Sequence, residues 1–339
     1  MINTTIYKLP SDANIVLTPT ISFDEFPSPK LIKYGFNKTT DKFDIIKLSK
    51  NEYYKVGLNI DYMRKDHESI ATIGKKLFGV KVDHNFCVFW EIMNLFGMLN
   101  LNQIVLTNIH ETINDIFSAF NKLTKKKLTS KVHQVIPPKE NYTLSIHQYS
   151  SVELSEDVII QFILSDLSKM KSKAGSSIIF QIFSIQTEPM IQLITYLSSL
   201  YDGTYLIKPS SSIVLSDEKY LILAGLKKDV KLFDIPKFKQ NLYISSLNIS
   251  VPNQISLIIQ CINSELIPQK YETYTNILTY LSEQIYEGAK YQDMYQKQND
   301  FIKHWIDDFT KFDKSEKILD DILDRSSKVC ETHKSLHWI

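Results

Sequence analysis

From Gln103 to Leu226 the sequence switches repeatedly between two periods of hydrophobicity, and this alternation fixes the fold class. Gln103–Ile109 (QIVLTNI) is an apolar run of strand length. The stretch from Glu111 to about Lys126 then carries Ile113, Ile116, Phe117, Phe120 and Leu123 on one helical stripe. A short strand near Val132–Ile136, a Pro137-Pro138 break and a strand over Tyr142–His147 follow. Glu153 to Met170 is predicted helical on Val158, Ile159, Phe162, Ile163 and Leu167, and Ala174-Gly175 is expected to end it before a strand over Ser176–Phe183. Thr187-Glu188-Pro189 pairs an N-cap residue with Pro in the first turn. The helix it opens should end near Tyr201-Asp202-Gly203, and strands at Thr204–Lys208 and Lys219–Leu226 close the set. Such alternation predicts an α/β, Rossmann-like domain: a mainly parallel sheet covered by helices.

The flanks have other textures. Residues 1–84 read as an N-terminal extension of turns and short strands, with Ile15–Leu17 and Phe43–Leu48 as strand candidates and Pro19, Pro27 and Pro29 as breaks. Asp66 is placed to cap a helix reaching about Leu77. A second apolar helix, from about Asn85 to Leu99, opens the central domain, 85–240. Beyond Asn241 the strands fade. Ile255–Leu266, Tyr271–Tyr295 and Phe301–Phe309 have helical periodicity, Pro252 and Pro268 are expected as joints, and 241–339 is predicted as a helical C-terminal region.

Composition removes several function classes. The 39 basic and 38 acidic side chains nearly cancel, which excludes a globally basic nucleic-acid coat, and 43% hydrophobic content excludes wholesale disorder. Three cysteines, Cys87, Cys261 and Cys330, are far apart and odd in number, so no disulfide framework is expected. The start carries no charged-then-apolar signal, and no run approaches eighteen uninterrupted apolar residues, so no membrane partner is expected and a reducing, cytoplasmic setting is the default. GxxxxGK, HExxH and GxSxG are all missing, leaving NTPase and hydrolase readings without a motif. Glycine is scarce: nine in all, with none between Gly97 and Gly175.

Two local clusters carry chemistry. Lys122, Lys125, Lys126, Lys127 and Lys131 gather five positive charges at a predicted helix end. They suit either contact with an RNA backbone, through counterion release, or a solvated helix C-terminus whose dipole favours cations. Cys330, His333 and His337 offer three metal-type ligands, but a closed structural zinc site needs four and no fourth is evident, so no metal is expected.

Gly175–Lys228 resembles the C-terminal half of the FtsJ-like cap 2′-O-methyltransferase family, most closely the versions carried by large DNA viruses. The residues that carry the resemblance are Gly175, Gln181-Ile182-Phe183, Lys208-Pro209, Ser210-Ser211-Ser212 and Asp217-Glu218-Lys219-Tyr220. In that family a strand ends in Lys-Ile-Phe, a helix and a strand ending in Lys-Pro follow, and a Ser/Arg-rich loop leads to Ser-Glu-x-Tyr. The resemblance implies S-adenosylmethionine on a Gly-rich loop after the first strand. That loop would fall at Asn108-Ile109-His110-Glu111-Thr112, which holds no glycine. It also implies a Lys-Asp-Lys-Glu tetrad. Here the first Lys would sit near Trp90-Glu91-Ile92, the Asp would end Tyr142–His147, the central Lys is replaced by Gln181, and only Glu218 remains.

An erased active site on a retained sheet resembles the small, non-catalytic subunit of the poxvirus-type mRNA-capping enzyme, which binds and stimulates a catalytic guanine-N7 methyltransferase subunit. Pro27, Pro29, Leu31, Tyr34 and Gly35 are similar to that subunit's start. The resemblance implies a catalytically degenerate, regulatory subunit of a viral mRNA-capping complex. It would bind no cofactor, pair with a catalytic subunit as a heterodimer, and act in host cytoplasm, viral factory or virion. Two alternatives stay open. One is an active cap 2′-O-methyltransferase using S-adenosylmethionine, with Glu218 and Lys208 as retained site residues. The other is an RNA-binding processivity factor using the Lys122–Lys131 cluster.

Overall fold

A computed structural model of the chain describes residues 4–11, 18–31, 53–61, 74–100, 102–134, 142–149, 154–169, 172–227, 242–283 and 287–336. Ile15–Leu17, Phe43–Leu48, Tyr34-Gly35, Pro137-Pro138 and most of the helix expected from Asp66 lie outside them; of that helix, 74–77 are helical.

The strands are β1 (Thr5–Leu9), β2 (Ser22–Asp24), β3 (Ile104–Thr107), β4 (Lys131–Gln134), β5 (Tyr142–His147), β6 (Ser172–Ile182), β7 (Tyr201–Lys208), β8 (Lys219–Leu226) and β9 (Tyr243–Ser246). The longer helices are α1 (His84–Leu95), α2 (His110–Thr124), α3 (Glu156–Lys169), α4 (Glu188–Leu200), α5 (Asn253–Ser282), α6 (Ala289–Phe309) and α7 (Ser315–Leu336). Seven strands form one sheet in the order β1-β7-β8-β6-β5-β3-β4. β4, β3, β5 and β6 run parallel, β8 is reversed between β6 and β7, and β1 runs antiparallel to β7 at the edge. The fold is α/β and Rossmann-like, but the sheet is mixed rather than parallel throughout. The reversed strand follows from the short 209–218 connection, which cannot carry the chain back across the sheet as a parallel crossover must.

Alternation along the strands sorts side chains to two cores. Ile6, Val105, Leu144, Ile146, Ile179, Ile207, Tyr220 and Ile222 face α1, α2, α6 and α7. Tyr7, Leu9, Leu106, Tyr142, Ile178, Phe180, Leu206, Leu221 and Leu223 face α3, α4 and the first half of α5. Phe86 through Leu95 of α1 are all buried. A helix apolar on every side needs cover on every side, and the C-terminal helices supply it: Trp90 Nε1 donates to the Phe309 carbonyl at 2.9 Å.

Several expectations are corrected. Ala174-Gly175 does not precede β6 but lies inside it. The β5–β6 register slips between Tyr142 and Leu144, and Gly175 at φ +84° takes the left-handed conformation that lets the strand pass through the irregularity. Pro268 does not end a helix; it lies within α5. The helix is held on both sides of it, by Ile255, Ile258, Ile259 and Ile262 against the sheet and by Ile277, Tyr280 and Leu281 against Tyr54, Val56, Leu58 and Ile60. Strands continue past Asn241, since β9 pairs with β2. The N-terminal stretch supplies the sheet's edge strand, β1.

Candidate functional site

The C-terminal end of β6 places Gln181 opposite Tyr220 of β8, and Glu218 stands two residues before that tyrosine on the same face. Gln181 Nε2 donates to Glu218 Oε1 at 3.0 Å, and Gln181 Oε1 accepts from the Tyr149 amide at 2.8 Å. The Tyr220 hydroxyl donates to the same Glu218 oxygen, and His84 Nε2, at the start of α1, lies 3.4 Å from the other. Burial opposes the Glu218 charge, but the His84 hydrogen bond and charge, the Lys208 ammonium and the Tyr220 hydroxyl outweigh it and hold the carboxyl down at about 2. Burial, then the Glu218 charge, push the Tyr220 phenol well above its ordinary range. The cluster thus holds an ionised carboxylate, an amide, a neutral phenol and the His84 imidazole. The amide of Gln181, in the place the resemblance gives to the basic lysine, takes up no proton near neutral pH.

The 209–218 loop is pinned by three buried charges. Lys208 Nζ donates to the carbonyls of Ile213 at 2.7 Å and Ser216 at 2.8 Å. Burial, with help from Lys219, pulls this ammonium down to about 8, against Glu218, Asp61 and Asp217. Asp61 accepts from the Leu215 amide at 3.1 Å. Glu91, from the middle of α1, accepts from five donors: the amides of Ser210 and Ser211 at 2.8 and 3.0 Å, the hydroxyls of Ser210 and Thr4, and Trp305 Nε1 at 3.0 Å. Ser211 and Ser212 are 0% and 1% exposed, so these two serines of the turn are buried in the protein.

In an open α/β sheet the usual ligand crevice lies where strand connections diverge, here beyond the C-terminal ends of β3 and β5. Amides bridge that gap. The Gln148 N–H donates to Asn108 Oδ1 at 3.0 Å, Asn108 Nδ2 donates back to the Gln148 carbonyl, and Gln148 Nε2 donates to Asn85 at 2.9 Å. α2 begins directly at His110, whose Nε2 lies 3.1 Å from the Val132 carbonyl. A cofactor carboxylate approaching backbone here would meet the Asn108–Gln148 bridge and the Ile109 and His110 side chains. These residues do not fit S-adenosylmethionine.

The lysine cluster is elsewhere. Lys122, Lys125, Lys126, Lys127 and Lys131 are all exposed at the far edge of the sheet, beside β4 and three strands from Gln181. Lys125 closes α2 in the left-handed conformation at φ 56°. Lys126 donates to Asn100 Oδ1 at 3.1 Å. Among the described residues none of the five is in an ion pair. Cys330 lies beside Cys261 of α5, and a hydrogen bond between the thiols raises that of Cys261. His337 is outside the described residues, and among those described no three His, Cys, Asp or Glu side chains converge on a metal position.

Sequence reasoning missed His84 and Glu91. Glu91 had a signal, as a single carboxylate in the apolar run FCVFWEIM; a charge there must be paired or hydrogen-bonded. It also missed a Ser145–His147–Asp166 relay, in which His147 Nε2 lies 2.6 Å from Ser145 Oγ and Nδ1 lies 2.9 Å from Asp166. Ser145 and His147 are 0% and 1% exposed, so the relay ties β5 to α3 and has no access to substrate.

No known family signature matches the chain. It is 42% identical over 319 residues to the uncharacterized protein R383 of Acanthamoeba polyphaga mimivirus, an alignment that covers 93% of this chain and 91% of the relative. Identity at that level along nearly the whole of both chains means that this protein belongs to the same family as the mimivirus protein R383.

Proposed function

We propose that this protein is a catalytically degenerate, FtsJ-like pseudo-methyltransferase acting as the stimulatory subunit of a viral mRNA-capping complex. The observation that carries the reading is Gln181. It stands where the resemblance calls for the basic lysine, and its amide is spent on Glu218 and the Tyr149 backbone. The strand–helix–strand–loop–strand order of β6, α4, β7, 209–218 and β8 follows the family's order and supports the fold part of the proposal. The Asn108–Gln148 bridge supports loss of the cofactor. A rigid sheet with a saturated site can stimulate a partner only by binding the partner's active form more tightly than its idle form.

Titration with S-adenosylmethionine is expected to give no heat. Addition of the protein to the capping guanine-N7 methyltransferase from the same genome is expected to form a heterodimer and raise methyl transfer to capped RNA. An unchanged rate with no complex in sedimentation would sink the proposal.

A second reading, contact with RNA, is favoured by the exposed lysines: no acidic residue stands between Asp115 and Glu140. Reversing Lys125, Lys126 and Lys127 to Glu should then abolish RNA binding at moderate salt and leave the heterodimer intact.

A further inference from the structure

Helices α5 and α7 meet beside the edge strand β1, and a polar network fixes their meeting point. Glu265 of α5 accepts from the Thr5 hydroxyl at 3.1 Å and the Tyr7 hydroxyl at 2.8 Å, and Arg325 of α7 stands 3.7 Å from it. Arg325 Nη2 also donates to the Thr4 carbonyl at 2.7 Å. Cys261 lies one turn before Glu265 on α5, and Cys330 follows Arg325 by five residues on α7. The network therefore keeps the two thiols facing each other. Cys330 packs on the apolar cluster that contains Cys261, and the two side chains share a hydrogen bond.

The two sulfurs differ in what they can do. Cys261 is 0% exposed, whereas Cys330 is part-buried and open to solvent on one side. The hydrogen bond from Cys261 favours the Cys330 thiolate, and Lys334, one turn on, adds to it. Together they hold the Cys330 thiol below its ordinary range, against burial and the Glu265 charge. The same bond raises the thiol of its donor, Cys261. Thiolate character and access are what an oxidant selects. Cys87 has neither, being 1% exposed within α1, where burial pushes its thiol up.

We propose that Cys261 and Cys330 form a reversible oxidation site for hydroperoxides, in which Cys330 reacts first and Cys261 resolves it to a disulfide joining α5 to α7. The Cys330 sulfur attacks one peroxide oxygen: an S–O bond forms, the O–O bond breaks, and the departing hydroxide takes up a proton as water. The Cys261 sulfur then attacks the sulfur of the sulfenic acid. The S–S bond forms, the S–O bond breaks, and the hydroxyl leaves as a second water with the Cys261 proton. Two thiols give up two electrons and one peroxide accepts them. Both thiols are free in the structure, which is the reduced member of the couple. The site owes nothing to the capping proposal, since it lies outside the Gln181–Glu218 cluster.

The test is treatment of the reduced full chain with stoichiometric hydrogen peroxide, read by intact mass and by peptide mapping without reduction. Wild type is expected to lose two hydrogens, to yield a Cys261–Cys330 cross-linked peptide, and to return to its starting mass with dithiothreitol, while Cys87 stays a thiol. Cys330→Ser is expected to slow the loss of thiol at least tenfold. Cys261→Ala is expected to leave Cys330 at the sulfenic acid, where dimedone traps it. A wild-type chain with no cross-link within the molecule, or with one through Cys87, would overturn the proposal. So would a Cys330→Ser chain oxidised at the wild-type rate. The cross-link is read on the unaltered protein, so a variant that fails to fold cannot mask the result.

Discussion

Glu91 and the pair formed by Asp308 of α6 and Asp321 of α7 stand on either side of Ser210 and Trp305, and they live under opposite rules. Glu91 is fully buried and meets five donors from three parts of the chain. The two aspartates are exposed, and among the described residues neither is in an ion pair. A saturated carboxylate fixes shape and has no valence left for a ligand, whereas an exposed one outside any ion pair holds little of the fold in place. The Gln181–Glu218 cluster belongs with Glu91. On the proposed reading this cluster serves as a structural joint, with Glu218 Oε1 meeting both Gln181 and Tyr220.

The harshest way to break the contrast is Glu91→Ala. Five donors lose their acceptor inside the protein, and removal of one partner from a buried charged network costs about 3–5 kcal/mol. Urea unfolding is expected to show a loss in that range, and a loss below about 1 kcal/mol would mean that the five bonds do not hold the loop.

Glu218→Gln probes the second joint through pH. The folded carboxyl is depressed to about 2 from an ordinary value of 4.5. Its contribution, up to about 3 kcal/mol, is therefore present above about pH 4.5 and is lost as pH falls towards 2. The stability gap between wild type and variant should close over that window; a gap independent of pH would contradict the assignment.

Gln181→Lys supplies the ammonium that the resemblance calls for. Methyl transfer to capped RNA is expected to stay at background, because the cofactor crevice remains bridged at Asn108 and Gln148. Appearance of activity would make the closed crevice irrelevant and revive the enzyme reading. The mildest change is Asp308→Asn/Asp321→Asn, expected to move unfolding by no more than about 0.5 kcal/mol, as for exposed positions outside any network.

Much of the fold was legible. Tyr142–His147 and Lys219–Leu226 are strands with the bounds their apolar patterns gave, because strand and helix periods are local properties of a sequence. The reversal of β8 was not, since direction is set by the length and cover of a connection. Pro268 and Gly175 misled for a related reason: each is a breaker by propensity, and packing on both sides overrode it. At the site, Gln181 in the place the resemblance gives to a lysine could be read from residue type alone. The bonds that lock it could not, because His84 and Tyr149 are brought to it only by the folded sheet.

The edge strand β1 has a consequence for synthesis. Its partner β7 pairs Thr5 with Lys208 and Leu9 with Thr204, and the Thr4 carbonyl is held by Arg325 from the last helix. During synthesis β1 must therefore wait, unpaired, for about two hundred more residues before β7 exists, and for α7 before the Arg325 clamp exists. Pairings this distant close slowly. A nascent chain halted before α7 should expose β1 to protease and gain protection there only once α7 has been released, so a helix made more than three hundred residues later locks the edge strand.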